Sequence, residues 1–520
     1  MIGCHLGGNL LRHHTYLKYE YKQKIKPHLR QYILPSYIPI VCIERSFTMK
    51  LKLQNEKTRY LLGLSGQNIL YALVSSCFAY YLQFTILIPA FWLGIILSTA
   101  KILDAIKDPF IGAFINKSRW PLAKYLRYLP FPTAIITVLC FVMKIYSNGN
   151  SPYQNAAIII YGFVIFILWE IMFSFGDIPM ISYPNVLGAD EKERTNLLSL
   201  RPIGAMVCSI CCLIVQPLAF AISGALGGTQ TDERNAFFII TLVFSVIGYI
   251  LYQLTISTGL HHNEKRNINT MQQYKYILTN PLLKKIIISG LLSSMSALQG
   301  VVLSALVAFY FSSKNSGLTF LYTFLLGTGS FVGLMFSTFL VPILSRKLGN
   351  VKAYVLCNLA SILPNIIIFV LYLGNKTTMN TFANFAIMFI LSLISGSFLS
   401  LASNIRTLLI DDAVELEYKL SATKPTALFF SFQTAIIKIQ SGVSSLISSA
   451  GYMVIGFTSA ETAKLNEYIA NGFVARESAE YIALFTMLFF LFSVLPAISS
   501  LLAVVPFMKM CNCKMSKPSH

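Results

Sequence analysis

The sequence predicts an all-α membrane protein of twelve transmembrane helices in two six-helix halves. Three observations carry this expectation. Charged residues make up 12% of the 520-residue chain, about half the ~25% of a soluble domain. Apolar runs of about 20 residues or more, the length needed to cross a hydrocarbon core, recur along the chain. The links between them alternate between basic and nearly base-free, as loops on opposite faces of a bilayer do. A formal charge of +20 would also suit nucleic acid. The bases are scattered between apolar runs, however, so the expected partner is the lipid bilayer and no nucleic acid.

Residues 1–59 form a basic N-terminal arm, with eleven Lys or Arg against three acids and no spanning run. Met49 is followed by Lys-Leu-Lys-Leu-Gln and then the first span, so it reads as a candidate start and 1–48 as an upstream extension. A native arm drawn to anionic lipid is the alternative. Spans follow at roughly 60–88, 91–115, 127–147, 154–181, 197–224 and 236–257, then 285–311, 318–344, 352–373, 380–409, 429–457 and 480–508. The first of these is too long for the apolar core of a cleavable signal. Lys117, Arg119, Lys124 and Arg127 mark one face, as do Lys192 with Arg194, Lys265 with Arg266, Arg346 with Lys347, and Lys419 with Lys424. Links 148–153, 225–234, 312–317 and 374–378 mark the other, which predicts cytoplasmic termini and a multi-pass cell-membrane protein. The polar link 258–284 divides a 60–257 half from a 285–508 half, and 509–520 is a basic cytoplasmic tail. Six plus six around a midplane site is the usual plan of secondary transporters. The ten cysteines show no ligand spacing, and no nucleophile–base spacing suggests an enzyme.

The chemistry concentrates at Lys101–Pro109. Asp104 and Asp108 are four apart, so a helix projects both carboxylates from one face. Each ionised carboxylate at membrane depth costs roughly 2.5–3.5 kcal/mol on insertion scales. The pair therefore calls for a cation, protons or basic partners. Pro109 removes the backbone hydrogen bond to Ala105 and frees a carbonyl beside the acids. Thr434 and Lys438 share a face by the same spacing, and Asn68, Tyr71 and Ser75 form a polar stripe on the first span. Such stripes face the bundle interior, because lipid would leave them unpaired.

With these residues in view, the sequence resembles the glycoside–pentoside–hexuronide:cation symporters of the major facilitator superfamily, the melibiose permease-like transporters. The likeness covers nearly everything after Met49. Gly66-Gln67-Asn68-Ile69 with Tyr71 is similar to the family's first helix, and Asp104-Ala105-Ile106-Lys107-Asp108-Pro109 to its Trp-Asp-Ala-Ile-Asn-Asp-Pro signature. Asp177-Ile178-Pro179 and Arg201 resemble the fourth and fifth helices. Asp412 to Lys419 and Ser431-Phe432-Gln433-Thr434 with Lys438 resemble the tenth and eleventh. The resemblance implies the major facilitator fold and alternating-access transport of a sugar or glycoside with Na⁺ or H⁺ as coupling ion. No other cofactor is implied, and the expected state is monomeric. It assigns Asp104, Asp108, Lys107, Ser174 and Asp177 to the cation site. It assigns Asn68, Tyr71, Asp177, Ile181, Arg201, Thr434 and Lys438 to the substrate site.

Several positions depart from the family. Lys107 stands where the family has Asn beside the cation, Ile181 replaces a sugar-stacking Trp, and Asn68 replaces a sugar-binding Asp with Gln67 before it. Asp104, Asp108 and Asp177 against Arg201 and Lys438 leave one negative charge, which a bound cation would neutralise. Lys107 supplies that charge from the protein itself. The expectation is that it replaces the coupling ion, making Na⁺ use poor or absent. The alternatives are that Lys107 snorkels to the headgroups, that the solute is not a sugar but another polar molecule or a lipid, and that the protein is a facilitator or exchanger.

Overall fold

The computed structural model describes residues 57–183, 200–255, 280–421 and 426–508, apart from 119, 121 and 148. The expectations for Met49, the N-terminal arm up to residue 56, most of the 258–284 link and the 509–520 tail fall outside these residues. From Tyr60 onward the chain forms one compact unit.

The first half contains α1 (Lys57–Thr85), α2 (Ala90–Lys117), α3 (Pro130–Leu139), α4 (Pro152–Ser182), α5 (Arg201–Leu226) and α6 (Gln230–Gln253). The second contains α7 (281–311, interrupted), α8 (Ser316–Leu348), α9 (Asn350–Gly374), α10 (Phe382–Ser421) and α11 (Thr426–Val454). A lateral helix α12 (Ser459–Ala470) and then α13 (Ala479–Phe507) complete it. Every one of the twelve expected runs holds a helix. Among the described residues eight helices are long and apolar enough to cross a membrane, nine if α11 and α12 count as one bent span. Of the others, α2 is long enough but carries Lys101, Asp104, Lys107 and Asp108. The α3 helix is ten residues long. The α8 helix is 33 residues long, with Arg346 and Lys347 in its last turn.

Side chains set where helices begin. Ser151 and Gln154 form a reciprocal capping box at α4, with Pro152 in the first turn. Thr229 and Asp232 do the same at α6. Asn280 caps α7 and Asn315 caps α8. Each satisfies amides that the helix start leaves open.

The two halves repeat one device. The end of α1 widens into a π-helix at Tyr81–Thr85, and the end of α7 does so at Leu306–Phe311. Tyr81 Oη accepts the Met143 amide at 3.3 Å, and Tyr310 Oη accepts the Met379 amide at 3.2 Å. Met143 follows α3 and Met379 follows α9, the third helix of each half. The same feature in both halves fits the internal repeat on which many transporters are built.

Small residues bring the halves together. A Cβ on Gly94 of α2 would lie 2.9 Å from Ser449 Cβ of α11, and one on Gly442 would lie 3.1 Å from Lys101 Cβ. This close seam carries Lys438 to the acids of α2. Within the first half, a Cβ on Gly66 would fall 2.4 Å from Tyr252 N and 2.5 Å from Gly248 O, both backbone atoms of α6. Gly66→Ala should therefore lower stability by about 1–3 kcal/mol, as overpacking does. A melting temperature in detergent equal to wild type would contradict this.

At the face away from the termini the halves close on an aromatic plug. Tyr80 and Phe84 pack on Phe309 with ring centroids 6.0 and 4.8 Å apart, and Phe84 meets Tyr452 at 6.0 Å. A polar latch surrounds the plug. The buried Glu233 of α6 accepts from Thr85 Oγ1 at 2.6 Å and from Lys314 Nζ at 2.5 Å. The α12 helix turns 82° from α11, and Asn466 on it donates to Phe84 O and Gln230 Oε1 at 2.8 and 2.9 Å.

Candidate functional site

Three helices build the site. On α2, Asp104, Lys107 and Asp108 lie within about one turn. On α4, Glu170, Ser174 and Asp177 follow at four- and three-residue spacing along one face. On α11, Lys438 comes across the Gly94–Gly442 seam.

Asp104 is 2% exposed and lies at the centre. Its Oδ2 is 2.7 Å from Lys438 Nζ, which also pairs with Asp108 Oδ2. Its Oδ1 accepts from Lys107 Nζ and, at 3.1 Å, from Ser174 Oγ. The Lys107 ammonium donates further to Ser174 Oγ at 2.7 Å and to the Glu170 carbonyl at 2.8 Å, and lies 3.7 Å from Asp108 Oδ1. Lys107 therefore points inward among the acids and does not snorkel to the headgroups. Its three donors meet a carboxylate, a hydroxyl and a backbone carbonyl, the oxygen ligands a small hard cation would take. Among the described residues no group of three or more His, Cys, Asp or Glu could hold a metal ion.

A second pair sits beside the first. Lys101 Nζ lies 2.6 Å from Glu170 Oε1, with the Glu170 side chain buried, and 5.7 Å above the Phe166 ring. Sequence reasoning missed this pair. The signal was available, since Glu170 is one of two acids, with Asp177, inside the apolar run 154–181, and intramembrane acids need partners. Lys101, Lys107 and Lys438 now balance Asp104, Asp108 and Glu170, so this cluster is neutral without an added ion.

The substrate-site expectations fare unevenly. Asp177 accepts from Gln67 Nε2 of α1 at 2.8 Å, so the residue before Asn68 makes the contact. Asn68 itself donates to Leu64 O on its own helix at 2.8 Å. Tyr71 packs on Phe173 and Trp169 with centroids 5.1 and 6.1 Å apart, at the α1–α4 contact. Ile181 is half-buried one turn beyond Asp177, and Thr434 is exposed one turn from Lys438. Arg201 opens α5, and its side chain lies outside the described residues. Ser174, which donates to Asp104, lies three residues before Asp177 on α4.

Comparison with known proteins then decides the family. The MFS/sugar transport protein family matches residues 59–510. The chain belongs to that family. It is thereby a multi-pass membrane protein of a transporter family. Among MFS relatives, the isoprimeverose transporter of Lactiplantibacillus pentosus is 26% identical over 44% of this chain and 46% of its own length. The lactose permease of Lactobacillus delbrueckii subsp. bulgaricus is 24% identical over 80% of this chain and 65% of its own. This chain thus spans about half of the first relative and just under two thirds of the second. The uncharacterized symporter YjmB of Bacillus subtilis is 24% identical over 80% of this chain and 86% of its own. Among solved structures, a bacterial homolog of the human lysosomal transporter Spinster superposes with TM-score 0.57 at 13% identity, covering 88% of this chain and 97% of its own. The D-xylose–proton symporter does so with TM-score 0.55 at 12% identity, covering 79% and 96%. These likenesses establish the MFS fold of twelve helices in two halves.

Proposed function

We propose that the protein is a secondary transporter that carries a sugar or glycoside across the cell membrane by alternating access, with both termini cytoplasmic. The observation that carries this reading is the buried polar wall of α1, α2 and α4. There Asp177, held by Gln67, continues the face that bears Ser174 and the charge cluster. Carboxylates grip sugar hydroxyls by charge-assisted hydrogen bonds. Ile181 offers an apolar wall without an aromatic face, which favours a solute that does not depend on ring stacking. The names of the isoprimeverose and lactose relatives support a sugar as substrate. Closure of the face bearing Phe84 and Glu233 corresponds to the outer gate in this orientation, so the pocket would exchange with the cytoplasm when the inner ends part.

Coupling follows from Lys107. Its ammonium occupies oxygen ligands that a cation would need, and the cluster is already neutral, so Na⁺ would add an unbalanced buried charge. The protein then works with protons, by exchange or by facilitated diffusion. Uptake of a panel of glycosides into proteoliposomes, with and without Na⁺ or proton gradients, tests both parts. Wild-type uptake should be insensitive to Na⁺. Lys107→Asn removes the internal cation and should make uptake rise severalfold with external Na⁺. Steep Na⁺ dependence of the wild type would refute the coupling reading, and no uptake of any glycoside would refute the substrate reading.

A further inference from the structure

Five charged residues are buried among those described: Asp104, Glu170, Glu233, Arg406 and Glu417. The first three meet lysine ammoniums, and Glu417 accepts from Asn280 Nδ2 at 3.0 Å. Arg406 on α10 is the basic member of the set and is 6% exposed. No carboxylate among the described residues pairs with it. Its Nη1 reaches Ser293 Oγ at 3.4 Å, a long contact, and its Nε has no acceptor.

The surroundings supply donors where this guanidinium needs acceptors. The α7 helix is interrupted here: Pro281–Leu292 ends, a 3₁₀ turn covers Ser294–Ala297, and α-helix resumes at Leu298. Gln440 of α11 donates its amide to Gly290 O and, at 2.6 Å, to Ser293 Oγ. Ser293 in turn donates to Gly290 O at 2.8 Å. Two oxygens thus serve Gln440, Ser293 and Arg406 together. An interior guanidinium without an anion is costly, and such an orphan in a native fold calls for an explanation. Its planar fork matches a carboxylate or phosphate through paired hydrogen bonds. Interrupted spanning helices are where transporters build solute sites.

We propose that Arg406 and Gln440, at the break in α7, form an oxyanion subsite in the second half, so that the transported sugar carries a carboxylate or a phosphate. This rests on the sugar-transport reading above. The position is absent from the motifs read in the sequence, and it lies in the second half, whereas the acids of the lysine–carboxylate cluster lie on α2 and α4 of the first. Transport then joins the two halves through one solute, with hydroxyls at Asp177 and the acidic group at Arg406.

The test uses full-length protein in proteoliposomes with three labelled probes: methyl β-D-glucuronide, glucose 6-phosphate and neutral methyl β-D-glucoside. Wild type should carry one of the acidic probes at least tenfold faster than the glucoside, and the faster one identifies carboxylate or phosphate. Arg406→Met should cut that ratio at least tenfold while raising the melting temperature, because it removes a buried charge that lacks a partner. Arg406→Lys should retain part of the ratio. A purely structural arginine gives the opposite pattern, with a lowered melting temperature in Arg406→Met and an unchanged ratio, and that result overturns the proposal. So does a wild-type preference for the neutral glucoside, which leaves the sugar reading standing. Inorganic phosphate that raises the melting temperature of wild type but not of Arg406→Met, with no acidic sugar carried, would reduce the site to an inorganic anion site and also overturn it. Failure to carry any of the probes or any sugar of the wider panel removes both readings.

Discussion

Asp104→Ala should destabilise the protein by about 3–5 kcal/mol, the range for stripping one partner from a buried ion pair, and should abolish uptake. Asp104 holds two ammoniums at once, Lys107 on one oxygen and Lys438 on the other. Its loss leaves both lysines to Asp108, whose side chain is 23% exposed. The interior then carries one unbalanced positive charge. Ser174 also loses its acceptor. Asp104→Asn keeps the shape and one acceptor oxygen, so it should fold better than the alanine variant and still fail to transport. Thermal unfolding in detergent, read beside uptake in proteoliposomes, separates the two effects. An unchanged melting temperature in Asp104→Ala would show that the lysines find other partners and that the carboxylate is not the hub described here.

Lys101 and Glu170 should behave as a unit. Glu170→Leu alone leaves Lys101, 14% exposed, without its partner beside the Phe166 ring, and Lys101→Met alone leaves a carboxylate at 3% exposure. Each single change should cost about 3–5 kcal/mol. The double variant replaces an ion pair with apolar groups of similar length and should return to within about 1 kcal/mol of wild type or exceed it. Transport should not recover with stability, because Lys101 and Glu170 stand one helical turn from Asp104 and Ser174 and their charges shape the field at the cluster, even though removing both leaves its net charge unchanged. Additive losses in the double variant would mean that the two side chains do not interact energetically, which the 2.6 Å contact argues against.

Much of the fold was legible in the chain itself. Spans are written in apolar runs of bilayer length because the hydrocarbon core enforces backbone self-satisfaction, and all twelve runs became helices. The pairing of Asp104 and Asp108 on one face followed from helical spacing, and so did the phase of Thr434 with Lys438. The partnership of Lys107 with the acids was open in the sequence. At one residue from Asp108 it sits about 100° round the helix, and only packing against Ser174 and the Glu170 carbonyl draws it inward. Asn68 shows what spacing leaves open. The stripe argument placed it toward the bundle interior; its Nδ2 donates to Leu64 O one turn back, and its neighbour Gln67 reaches Asp177. A polar residue in a helix has a carbonyl of its own helix within reach, and spacing alone does not reveal which acceptor it takes.

What the sequence determined by itself was the membrane-spanning architecture, its division into halves and the presence of acids that demanded neutralisation. Those depend on hydropathy, length and the cost of charge in lipid, all of which act segment by segment. The tertiary structure decided the neutralisers: Lys438 across the glycine seam, Lys107 turned inward, and Lys101 claimed by Glu170. It also decided that Arg406 has none among the described residues. Two of these pairings join different helices, one of them across the two halves of the chain, and only the approach of those helices settles which charge faces which.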